Sequence, residues 1–145
     1  MKLAKLLAIG ACAAFALTTT PAFAAEKDKD KHGEHGKGGH AAKVPDTAEG
    51  IVAEIHKHHG ETAELVKAKN LKAVHPHSDA ITELAKALPA KVAADKKAAV
   101  ESVTKGVIKA ADDLHKAADG GDQAKSEGHL KKLDGALAQL DAKLK

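Results

Sequence analysis

Histidine is the residue in this chain with the most chemistry to offer. Ten occur: His32, His35, His40, His56, His58, His59, His75, His77, His115 and His129. Five of them fall within 22 residues, in the runs Ile51-Val52-Ala53-Glu54-Ile55-His56-Lys57-His58-His59-Gly60 and Val74-His75-Pro76-His77. A neutral imidazole is a metal ligand, and its charge changes near pH ~6.5, so metal held this way is lost as pH falls through that range. His56 and His59 stand three residues apart, the spacing that puts two rings on one face of a helix. Neither a paired Cys-x-x-Cys nor a His-Glu-x-x-His is present. A set of imidazoles completed by carboxylate or water suits Zn2+, Cu2+, Ni2+ or Co2+.

Two amphipathic helices must position these rings. At about 100° per residue, Ile51, Val52, Ile55, Thr62, Leu65 and Val66 form one stripe. His59 lies within it, with His58 and His56 on its flanks. Val74, Ile81, Leu84, Ala85 and Leu88 form the stripe of the second helix, and His77 lies inside it. The first helix is expected over about 48–68, opened by Asp46 or Thr47 with Glu49 as a loose capping box. A turn at Lys69-Asn70 leads to the second, over about 71–88. Pro76 either sits inside that helix and kinks it or marks its true start, with His75 as cap. Folding about Lys69-Asn70 sets His77 level with residues 62 or 63, so His59 is about 4.5 Å away along the axis at 1.5 Å rise per residue. The expected site is therefore His56, His59 and His77, with His58 and His75 as further ligands.

The second half repeats the first at an offset of 49 residues: Ile51 maps to Val100, Leu65 to Leu114, Ile81 to Leu130, Leu84 to Leu133 and Leu88 to Leu137. Asp95 is expected to cap a third helix over about 96–118. Gly120-Gly121 ends it, and Asp122 caps a fourth over about 123–143. Folding about Gly120-Gly121 brings His129 within about three residues of His115 along the axis, a lesser site. Short loops make neighbouring helices antiparallel, so the expected fold is all-α: an up-down-up-down four-helix bundle over 47–145, behind a disordered N-terminal tail.

The start of the chain stands apart. Lys2 and Lys5, the apolar run Leu6–Leu17 and Ala22-Phe23-Ala24 follow the plan of a secretory signal peptide over 1–24, too short to span a membrane. A second reading makes Ile9-Gly10-Ala11-Cys12 a lipoprotein signal anchored at Cys12; the apolar run continuing past Cys12, and the cleavage site after it, favour the first. Residues 25–46 alternate charges among glycines and have no apolar period, a composition that cannot offset chain entropy. His32, His35 and His40 lie there. A His-rich polar tract is a metal-binding composition, and the same tract also makes a plain soluble spacer.

Removing 1–24 removes Cys12, Met1, Phe15 and Phe23, leaving no thiol, thioether or aromatic other than histidine. Soft Cu+ sites and disulfides are thereby disfavoured. Lys2 and Lys5 leave too, taking the formal net charge from +3 to +1 with neutral histidines. Arginine is absent throughout. Near-zero charge without arginine or stacking aromatics argues against nucleic acid as partner. The lysine runs read as solvated helix faces.

No catalytic signature emerges. Ser78, Ser102 and Ser126 lack a nucleophile-elbow context, glycine-rich phosphate loops are absent, and His32-Gly33-Glu34-His35 falls in the tail, where nothing preorganises it. Haem is not expected: there is no Cys-x-x-Cys-His, and without methionine only bis-histidine ligation would remain.

With its signal peptide, its short Ala/Lys/Leu helices and its many histidines, the chain resembles the small periplasmic His-rich helical metal-binding proteins. Residues 117–137, Ala-Ala-Asp-Gly-Gly-Asp-Gln-Ala-Lys-Ser-Glu-Gly-His-Leu-Lys-Lys-Leu-Asp-Gly-Ala-Leu, are similar to helical-bundle proteins found with heavy-metal efflux systems. The resemblance implies divalent metal buffering or delivery in the periplasm, with a metal efflux or delivery protein as partner. Homodimer formation would add stability to an alanine-rich core. The alternative function is a non-catalytic protein-interaction bundle whose histidines are incidental or sense pH.

Overall fold

The computed structural model describes residues 43–145. Four α-helices account for most of them: α1 (Ala48–Lys67), α2 (Val74–Ala87), α3 (Ala94–Asp119) and α4 (Gln123–Leu144). Single 3-10 turns, Leu71–Ala73 and Leu88–Ala90, flank α2, and no strand occurs among the described residues. No helix among them is long and apolar enough to cross a membrane. The expected signal peptide and nearly all of the tail lie outside the described residues. The last of the tail, 43–46, has no regular structure.

Helix boundaries follow local chemistry. Thr47, not Asp46, is the N-cap of α1: its hydroxyl accepts a hydrogen bond from the Gly50 N–H at 3.1 Å. With Thr47 as cap, the third helical position is Gly50, so Glu49 cannot close a capping box. Lys69 then takes the left-handed conformation, φ 59°. The Asn70 N–H donates to the Leu65 carbonyl at 2.9 Å, and the Lys69 N–H to Val66 at 3.0 Å, the paired bonds of a Schellman end. Gly121, φ 66°, ends α3 in the same way.

The two readings of Pro76 meet in the middle. The 3-10 turn precedes α2, and Pro76 is the third residue of the helix, within the first turn, where backbone N–H groups have no intrahelical partner to lose. Helix α3 begins earlier than expected, at Ala94 with Ala93 as N-cap and no side-chain cap, so Asp95 lies in its first turn. Asp122 caps α4 through a 3.0 Å bond from the Lys125 N–H. That bond holds the Asp122 carboxyl below the usual carboxylate range.

The apolar stripes meet in one core. Ile51, Ile55, Val66, Val74, Ile81, Leu84, Leu88, Val100, Val107, Leu114, Leu133 and Leu140 are its largest fully buried side chains. Each such Val, Leu or Ile stabilises the fold by about 1.5–3 kcal/mol relative to leaving it exposed. Most positions paired by the 49-residue repeat are buried together, Ile51 with Val100, Leu84 with Leu133 and Leu88 with Leu137. Helix α3 packs most extensively, on α4 and on α2; α1 packs on α2 and meets α4 more lightly.

Candidate metal centre

Between α1 and α2, three donors converge. His58 Nδ1 lies 3.1 Å from His77 Nδ1 and 3.4 Å from Glu61 Oε2, while His77 Nδ1 lies 3.0 Å from the same oxygen. His58 and Glu61 are neighbours on α1 at the i, i+3 spacing, and His77 comes from the first turn of α2. The buried Thr62 hydroxyl, donating to the His58 carbonyl at 2.7 Å, fixes the backbone beneath. On its far side His58 Nε2 faces Glu54 Oε2 at 4.0 Å. Burial, with the neighbouring His77, holds the His58 imidazole below its ordinary range, toward the neutral form that binds metal. Glu61 and His77 also border an open hollow with Gly60, Glu64, Leu65 and Ala68. A Cβ on Gly60 would meet nothing within 4 Å, so this side of the group is open.

A second group spans α2 and α3. His75 Nε2 contacts Asp119 Oδ1, and His115 Nε2 lies 3.4 Å from Asp119 Oδ2. The two rings meet edge to face, with centroids 3.9 Å apart. His115 Nδ1 faces Asp79 Oδ1 at 3.1 Å.

The trio His56, His59 and His77 does not converge. His56 Nε2 lies 2.9 Å from Asp141 Oδ1. His59 Nε2 lies 2.6 Å from Asp134 Oδ1, off the line of an aligned hydrogen bond. Both rings thus face α4, while His77 faces His58 and Glu61. A helix turns about 100° per residue, so His58 and His59 point to different neighbours. The period gives the inward direction but not which neighbour lies on either side of it. For the same reason His115 and His129 do not meet. His115 faces α2, whereas His129 shares a hollow with Asp113, Lys116, Asp122 and Lys125, its Nδ1 buried without a hydrogen-bond partner.

No protein-family model, curated protein or solved structure matches this chain. Its chemistry has to be read from its own side chains. The described residues hold two groups of histidine and carboxylate that could each hold a metal ion: His58, Glu61, His77 and His75, His115, Asp119. Reading histidines alone misses the carboxylates, although Glu61 stands three residues after His58 and Asp119 four after His115, both same-face spacings.

Proposed function

We propose that this protein binds a divalent transition metal ion, Cu2+, Ni2+ or Zn2+, through His58, Glu61 and His77. One observation carries the reading: three donor atoms from two helices stand 3.0–3.4 Å from one another. Metal bonds of about 2.1 Å place neighbouring ligands about 3.4 Å apart in a tetrahedral shell and about 3.0 Å apart in an octahedral one. Three protein ligands leave a coordination position open. The half-exposed rim and the adjacent hollow give the ion a way in and out, which suits holding and release better than a permanent structural site.

The role that follows is buffering or delivery of the ion in the periplasm, in the manner of the small His-rich helical proteins this sequence resembles, with a metal efflux or delivery protein as the exchange partner. The leader-like segment 1–24 supports the location. We further propose an up-down-up-down bundle as the scaffold. Contacts between α1 and α4 run from His56 with Asp141 to His59 with Asp134, and those between α2 and α3 from His75 with Asp119 to Thr82 with Asp112. Both are opposed registers, supporting antiparallel pairs.

Calorimetric titration of Zn2+, Ni2+ or Cu2+ into the full chain carrying His32→Ala, His35→Ala and His40→Ala tests the site. Adding His58→Ala with His77→Ala is expected to weaken uptake at this seam by more than about 100-fold, the upper end of what losing an outer-shell partner costs. Glu61→Gln should weaken it in the same direction. An unaltered titration in the double variant refutes the reading.

A further inference from the structure

We propose that His75, His115 and Asp119 form a second metal site at the seam of α2 and α3, with Asp79 as the positioning residue for His115. The site takes a divalent transition ion on its own donors and shares with the first only the first turn of α2, where His75 and His77 flank Pro76.

Two imidazole nitrogens from different helices reach one carboxylate. His75 Nε2 meets Asp119 Oδ1, and His115 Nε2 lies 3.4 Å from Asp119 Oδ2. The donor set, two histidines and one carboxylate, has the composition of the α1–α2 group, and it suits the same borderline ions. The far side of His115 is the informative part. Its Nδ1 lies 3.1 Å from Asp79 Oδ1. A carboxylate at that distance favours the tautomer with its proton on Nδ1, which leaves the Nε2 lone pair on the side of Asp119 and His75. Metal-binding histidines are oriented in this way, by a carboxylate or carbonyl on the second nitrogen.

The place of Asp119 adds an electrostatic reason. It is the last residue of α3, where the helix dipole disfavours negative charge. A cation bridging Asp119, His75 and His115 would neutralise that carboxylate and tie the end of α3 to the start of α2. The three side chains are only partly buried, so an ion has access from solvent.

Co2+ titration followed by visible d–d absorption, with Zn2+ calorimetry alongside, tests the proposal on the full chain carrying His32→Ala, His35→Ala and His40→Ala. The expected uptake is two equivalents. His75→Ala with His115→Ala leaves one; His58→Ala with His77→Ala leaves the other. Asp79→Asn weakens only the α2–α3 equivalent, by about 10- to 100-fold, while the other equivalent and the metal-free melting temperature stay as in the parent. Uptake of a single equivalent, unchanged by His75→Ala with His115→Ala, overturns the second site and reduces these residues to an ion-pair network. Loss of the only equivalent in that variant, with none lost in His58→Ala with His77→Ala, upholds this site and overturns the α1–α2 reading instead.

Discussion

His58 shows how one side chain can link stability and binding to pH. Burial holds its imidazole below the ordinary histidine range, and the neighbouring His77 adds to the effect. Above the unfolded value of 6.5 the ring is neutral in both states and contributes nothing. As pH falls through 6.5 the unfolded chain takes up the proton first, so the folded state loses stability until the pH passes the folded value. In metal-free protein, melting temperatures taken from pH 7.5 to 5 should therefore fall less steeply in His58→Ala than in the parent. An unchanged slope would show that His58 is not the group responsible. With metal bound the dependence should be steeper, because protons then compete with the ion for His58 and His77.

The histidine content and the i, i+3 and i, i+4 spacings were readable in advance, and His58 and His77 stood among the expected ligands. Their grouping was not. Whether His59 or His58 meets His77 depends on which helix lies on each side of α1, a fact of packing that a single helix's periodicity does not contain. The carboxylates Glu61, Asp79 and Asp119 were hidden for another reason: 20 acidic residues are spread along the chain, and only a folded register singles out three.

At the scale of elements, the turns were more legible than the metal groups. Gly120-Gly121 and Asp122 announce the join of α3 to α4, and the structure places a left-handed Gly121 and an Asp122 cap there. The matching join after α1 uses Lys69 in the left-handed conformation, where an L side chain costs about 1–2 kcal/mol. Lys69→Gly should stabilise the fold by about 1 kcal/mol, less the entropy glycine adds to the unfolded chain. Thermal unfolding should show a rise of a few degrees, about 4–8 °C per kcal/mol for a domain this small. A lowered melting temperature would mean that the Lys69 side chain makes a compensating contact. Asp95 resembles a cap, yet α3 begins at Ala94 without one; packing of Val100 and Val107 into the core outweighs the missing cap bond.

Across the described residues, Ala, Val, Ile and Leu supply the apolar core, as a stretch without Phe, Tyr or Trp requires. The lighter seam between α1 and α4 carries His56 with Asp141 and His59 with Asp134. Half-exposed pairs of this kind contribute about 0–1 kcal/mol. His56→Ala is accordingly expected to lower stability by less than about 1 kcal/mol and to leave the stoichiometry of metal uptake unchanged, as calorimetry would reveal. Loss of an equivalent would return His56 to the ligand set.

For the proposed metal binding, the pairing of His56 and His59 with aspartates on α4 sets a limit on how much ion the folded chain would usefully accept. Those imidazoles are committed while α4 is docked, whereas an unravelled chain offers all ten to solution. Ligand that also binds the unfolded state erodes its own stabilising effect. Under the proposed role, thermal resistance should climb with the first additions of ion, pass through a maximum, and decline in large excess, protection giving way to surfeit.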